Sequence, residues 1–199
     1  MPIQNQYGTP TTQNHGTFWA AATRGRQFVG GNQAVAAAAL AAITPGTTTT
    51  YTGGLILYNP VGSGVNAAIN YASFMFILAQ TNVALIGIGV GASATAITTP
   101  GTAIASQCAL VGSSNAAQCL LYSPTSATLP VAPYLAKKLA VVGTGATSGI
   151  SGASGVFNLE GAIILEPGSY ACFTSSAAGT ASSFYGGFVW EEVGTSVTT

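Results

Sequence analysis

The sequence predicts an all-β protein, an antiparallel sandwich or a barrel. Short apolar runs that end at turn residues recur along most of the chain, as at residues 55–58 before Asn59-Pro60. Runs of this length and spacing are typical of sandwiches and barrels. Near the C-terminus, side chains alternate from Phe184 to Trp190 with the period of a strand that has one buried face.

The C-terminal strand carries the most specific prediction. A strand points residues i, i+2 and i+4 to one face, so Phe184, Phe188 and Trp190 are expected together on a buried face. Gly186 lies between them in sequence and leaves room for the rings. Residues 191–192, both glutamate, are expected to end the strand in solvent or at an interface.

The remaining strands are predicted from similar runs. The segments are 47–51, 55–58, 65–78 as one bent strand or two, 83–90, 98–112 as loop and short strand, 119–122, 139–142, 161–166 and 169–174. The glycines of 83–90 indicate a bulge or a close backbone approach. The alanine-rich run 34–42 has helical propensity but β-rich surroundings, so helix and strand stay open. Residues 143–155 are rich in glycine and serine and are expected to form a long loop.

The sequence predicts two parts: an extended N-terminal arm, residues 1–30, and a single sandwich domain, residues 31–199. Residues 1–16 are polar and have little to bury. Aromatic and arginine side chains follow, and these residue types often carry interface energy. They are Phe18, Trp19, Arg24, Arg26 and Phe28. The arm is therefore expected to dock onto a neighbouring subunit, with an ordinary first strand over residues 17–29 as the alternative.

Charge is scarce in this chain. Charged residues make up 4% of its 199 residues, the formal net charge is zero, and no residue from Gln27 to Ala136 is charged. A solitary soluble domain needs interspersed surface charge. Much of the surface is therefore expected to be covered by another copy of the chain or another partner. Four basic residues are too few for nucleic-acid binding as a main role.

No segment matches a membrane anchor or a secretion signal. The longest apolar stretch, residues 71–97, is broken by polar residues and glycines before it reaches the length of a spanning helix. The first 16 residues have no basic start and no apolar core, which favours synthesis in the cytosol. The three cysteines are expected to be buried thiols, although Cys108 and Cys119 flank a turn signal and could face each other.

Catalytic constellations are hard to assemble from these residues, so the chain is not expected to be an enzyme and no cofactor or metal is expected. It has no aspartate, and its single histidine, His15, lies in the arm. A Ser–His–Asp triad needs both residue types, and a zinc site needs clustered Cys and His. The Lys137-Lys138 pair is typical of a solvated strand start, with a contact to a carboxylate on a neighbour as the second interpretation.

Two segments resemble small virion proteins of tailed phages. The first is the closing hairpin, residues 165–170 (LEPGSY), 175–184 (SSAAGTASSF) and 188–192 (FVWEE). The second is residues 54–60 (GLILYNP) before a Gly-Ser turn. The chain is similar here to jelly-roll proteins that decorate or cement capsids.

That resemblance implies a jelly-roll sandwich, a homotrimer and a place on the outer capsid surface, bound between major capsid subunits. It carries no catalytic residues. The alternative is a tail-fibre or receptor module that binds carbohydrate, for which Trp19, Tyr122 and Tyr134 are the candidate aromatics.

Overall fold

Strands dominate the computed structural model of this chain, which describes residues 3–4, 10–11, 18–32, 40, 43–78, 83–124, 126–142, 154–177 and 183–195. The strands in these residues are β1 (Ile3–Gln4), β2 (Pro10–Thr11), β3 (Gln27–Gly31), β4 (Thr50–Tyr51), β5 (Ile56–Tyr58), β6 (Val65–Leu78), β7 (Ala84–Ala92), β8 (Thr102–Ile104), β9 (Gln107–Cys108), β10 (Leu120–Ser123), β11 (Ala127–Thr128), β12 (Tyr134–Val142), β13 (Ser154–Leu165), β14 (Ser169–Ser175) and β15 (Ser183–Gly194). A single short helix in the same residues, α1, spans Trp19–Thr23.

Two antiparallel sheets face each other. The five-stranded sheet has the order β13-β6-β15-β3-β9, and the six-stranded sheet has the order β12-β7-β14-β5-β10-β8. Phe188 and Trp190 of the first sheet and Phe173 of the second belong to one buried cluster between them. The predicted all-β, antiparallel sandwich is therefore confirmed.

The alternation in β15 is also confirmed. Phe184, Phe188 and Trp190 are completely buried. A Cβ at Gly186 would lie 2.8 Å from the Phe184 ring and 2.9 Å from the ring of Phe173, so a side chain there would collide with both. The Phe173 and Phe188 rings stack with centroids 4.9 Å apart, which joins the two sheets at this level.

Several other predicted strands appear with shifted bounds. Residues 65–78 form one continuous strand, β6, rather than two. The glycines of β7 do mark a close approach, since a Cβ at Gly89 would lie 2.7 Å from the Thr174 side chain of β14. The alanine run 34–42 (apart from Leu40, which is buried) and the loop residues 143–153 lie outside the described residues.

The sandwich begins earlier in the chain than residue 31. Strand β3 pairs with β15, with Phe28 opposite Trp190, and the two rings lie 6.0 Å apart. Phe28 therefore fills space in the core, and of the segment 17–29 that was the alternative first strand, only residues 27–29 lie in β3. Helix α1, which no sequence pattern predicted, precedes it. In the arm proper, β1 and β2 pair with each other.

Candidate interaction surface

The outer face of the six-stranded sheet is covered by the chain itself over β5 and β14. Strands β4 and β11 form a small two-stranded sheet that lies over it. The buried residues of this covering layer and of the face beneath it are Ile43, Tyr51, Ile56, Tyr58, Ile97, Ala127, Leu129, Tyr170 and Cys172. The Tyr51 hydroxyl donates a hydrogen bond to the Phe173 carbonyl at 2.7 Å, which ties the layer to β14.

The outer face of the five-stranded sheet is different, because apolar side chains on it remain exposed. Strand pairing aligns Val29, Val189 and Tyr71 in one row across β3, β15 and β6. These positions alternate with the buried residues of the same strands, so they point away from the core. The exposed apolar residues of this face are Val29, Met75, Val156, Ile164 and Val193. We call this surface the open face.

A groove of about 650 Å³ crosses the open face near the end of β6. Its side chains include Ser73, Met75, Val156 and Tyr185, and among the residues that the structure describes none of those lining it is charged. Met75 is 47% exposed and Val156 is 76% exposed. Gly187 of β15 pairs with Ser73 and contributes no side chain to the surface beside the groove. The groove therefore offers a neutral, largely apolar surface.

Helix α1 lies against this same face. The Phe18 ring, just before the helix, packs edge-to-face on Tyr71 with centroids 5.4 Å apart. Trp19 begins the helix and is 38% exposed. Arg24, at the C-terminal end of the helix, is exposed. The structure thus places Phe18, one of the predicted interface residues, on the open face, and Trp19 and Arg24 are exposed on the helical segment that follows it.

Among the other predicted interface residues, Arg26 lies on the same side of the sheet as the open face, and the rest lie elsewhere. Arg26 forms an ion pair with Glu191 at 2.9 Å, within the same chain. Phe28 is 3% exposed and belongs to the core, so it has no surface left for a partner. Lys137 and Lys138 lie on β12 of the other sheet and are exposed. The seven residues therefore do not form one site, because the two lysines are at a different side of the sandwich.

Glu192 corrects an expectation, since its side chain is buried rather than in solvent or at an interface. Its carboxylate accepts hydrogen bonds from the backbone N–H groups of Gln118 and Cys119, each at 2.9 Å, and from the Trp190 indole N–H at 3.1 Å. Glu191 points the opposite way, as expected for neighbours on a strand. The buried carboxylate replaces its lost hydration with three donors, so it serves as a structural acceptor.

The three cysteines are buried and free, as expected. Burial raises the pKa of the Cys172 thiol. Burial also raises the pKa of the Cys119 thiol, and the nearby Glu192 carboxylate raises it further. Both groups therefore stay protonated at neutral pH, and a protonated thiol is a poor nucleophile.

Three candidate carbohydrate-binding aromatics do not converge. Trp19 begins helix α1, which belongs to neither sheet, whereas Tyr122 and Tyr134 belong to the six-stranded sheet. Their strands, β10 and β12, are four positions apart in that sheet, or about 19 Å.

The described residues also contain no group of three or more His, Cys, Asp or Glu side chains that could hold a metal ion. In the same part of the chain, no helix has the length and apolar character needed to cross a membrane.

Comparison of the chain with protein-family models, with curated proteins and with solved structures gives no match.

Sequence reasoning missed the groove of the open face, although one signal was present. Ser73 and Met75 alternate with Phe74 and Phe76 in an uncharged strand, which marks an outer face without polar cover. The sequence does not show which residues lie beside Ser73 and Met75 across the sheet, because the partner strand β15 is more than 100 residues away.

Proposed function

We propose that this chain is a non-enzymatic structural protein of a tailed-phage virion that decorates or cements the capsid by binding between major capsid subunits. The observation that carries the proposal is the open face, with its uncharged groove and its exposed Met75 and Val156. The cores of protein interfaces are depleted of charged residues and enriched in methionine and aromatic side chains. An exposed apolar patch of this kind marks an interaction site.

The rim of the open face has the residue types expected around such a core. Trp19 and Arg24 are exposed on the helical segment that follows Phe18, and tryptophan and arginine are the types that most often dominate binding energy. Helix α1 holds both on a folded element. Their placement therefore costs less conformational entropy on binding than an unfolded arm would.

The reactive groups of the described residues support a structural role. The Glu192 carboxylate is occupied by three donors within the chain, and the Cys119 and Cys172 thiols are protonated. None of these groups is free to act on a substrate. A jelly-roll strand connection, a homotrimer and a location on the outer capsid surface go with this proposal, on the strength of the hairpin resemblance.

The proposal is tested by binding to capsids that lack the chain. Purified protein is mixed with shells of the major capsid protein and sedimented, and the bound fraction is measured. We expect Met75→Glu to weaken binding about tenfold or more, because the charge is desolvated in the interface. Val111→Glu is the matched control, since Val111 is 95% exposed and lies outside the groove.

Both variants must first show the wild-type melting temperature. Equal binding by wild type and Met75→Glu would contradict the proposal. Recovery of the chain with tails rather than heads, or saturable binding to a glycan array, would favour the receptor-binding alternative instead.

A further inference from the structure

One side of the sandwich presents two strand edges together. Strand β12 is the first strand of the six-stranded order, strand β13 is the first of the five-stranded order, and the two contact each other. A groove of about 230 Å³ runs between them. The exposed apolar side chains that line this groove are Tyr134 and Ile164, and Ile164 is shared with the margin of the open face. We call this surface the β12–β13 edge.

The β12–β13 edge also carries charges of both signs. Lys137 and Lys138 of β12 are exposed, and so is Glu160 of β13. The described residues contain one ion pair, Arg26–Glu191. In that part of the chain, the two lysines and Glu160 therefore have no ionic partner, in a protein with only eight charged residues.

The local backbone holds Glu160 outward. The pairing of β13 with β6 jumps from Asn158 to Ile163, so that four residues of β13 lie opposite one residue of β6. Glu160 sits in this bulge with φ 48°. Its carboxylate accepts a hydrogen bond from the Asn158 amide at 2.9 Å, and its backbone N–H donates to the Asn158 side-chain oxygen at 3.2 Å. The bulge thus presents a carboxylate in a defined position.

We propose that the β12–β13 edge is the surface where a second copy of this chain docks, with Lys137 and Lys138 of one copy facing Glu160 of the other. The inference deepens the proposed structural role and rests on it only for the expectation that the chain assembles with itself. A surface with exposed apolar residues and both charge signs is complementary to itself under rotation. A polyanion is a poor occupant, because Glu160 would repel it.

Docking occurs through side chains rather than through a shared sheet. Pairing of β12 with β7 shifts register between Leu135 and Lys137 and again between Lys138 and Ala140. With the bulge of β13, both edges are interrupted, and a continuous ladder with another strand cannot form along them. Bulges and lysines can also protect an edge from association, which is the competing interpretation and makes the opposite prediction.

The test is a charge exchange in the full chain, followed by sedimentation velocity over a concentration series. We expect Glu160→Lys, and separately Lys137→Glu with Lys138→Glu, to weaken self-association at least about tenfold. The three changes combined restore the opposite signs, and the association constant should return to within about threefold of wild type. Val111→Glu, which adds a charge at a 95% exposed position between β9 and β10 and away from this edge, is the control and should leave association unchanged.

Glu160→Gln guards against a folding defect. It keeps the acceptor for the Asn158 amide but removes the charge, so it should weaken association and leave the melting temperature unchanged. The inference would be overturned if neither single-sign reversal weakened self-association, or if the combined variant did not recover the wild-type association constant. Stronger association in Glu160→Lys would show that the charges protect the edge.

The outcomes separate this inference from the capsid proposal. A wild-type chain that is monomeric at all concentrations but sediments with capsids refutes the self-association surface alone. A chain that associates through Lys137, Lys138 and Glu160 but binds no capsid refutes the capsid role alone.

Discussion

The outer faces of the two sheets differ in whether the chain covers their apolar side chains. Outside the six-stranded sheet, Tyr51 and Leu129 belong to a buried cluster supplied by the chain itself. Outside the five-stranded sheet, Met75 and Val156 remain exposed. Both outer faces are apolar, and an apolar sheet face is stabilised by burial against another layer. The difference indicates which face the chain completes alone and which face a partner can complete.

On the covered face, tyrosine hydroxyl groups donate hydrogen bonds to backbone carbonyls. The Tyr51 hydroxyl reaches the Phe173 carbonyl, and the Tyr170 hydroxyl donates to the Val131 carbonyl at 2.7 Å. Two phenols thus satisfy backbone acceptors beneath and beside the layer. On the open face, Tyr71 instead meets the Phe18 ring.

The largest expected effect is on the inner side of the five-stranded sheet. Trp190→Ala should lower the free energy of unfolding by about 3–5 kcal/mol, because it empties a large buried volume. Val193→Ala, on the outward side of the same strand, should change it by less than about 0.5 kcal/mol. Urea denaturation of both variants measures the difference. A comparable loss in both would mean that the open face is covered within the chain.

A smaller contrast is expected for the two adjacent glutamates of β15. Glu192→Ala should cost about 3 kcal/mol, because three buried donors lose their acceptor. Glu191→Ala removes the partly exposed pair with Arg26, and a pair of this kind contributes about 0–1 kcal/mol. The same denaturation experiment measures both. Equal costs would show that the carboxylate of Glu192 is not the acceptor that ties residues 118–119 to β15.

The smallest effect concerns reactivity and leaves stability unchanged. Raised pKa values keep the Cys119 and Cys172 thiols protonated at neutral pH, so neither should react with iodoacetamide in the native protein. A cysteine placed on the open face by Met75→Cys should be alkylated readily. Mass spectrometry of peptides identifies the labelled site, with the wild-type chain as background. Protection of the new thiol would contradict an exposed groove.

The sequence alone determined the class of fold and the inward side of β15. Strand periodicity and turn residues are local signals, so Phe184, Phe188 and Trp190 could be assigned to a buried face before any partner was known. The glycines of β7 indicated a bulge or a close backbone approach, and the odd number of cysteines without a secretion signal indicated buried thiols.

Only the tertiary structure shows which groups each side chain contacts. Glu192 is buried because the N–H groups of Gln118 and Cys119, 74 and 73 residues away in sequence, point at it. Phe28 is core because β3 pairs with β15. Sheet partners are distant in sequence and leave no periodic signal in either strand. The choice between a covered and an open outer face therefore depended on which segments the folded chain laid over each sheet.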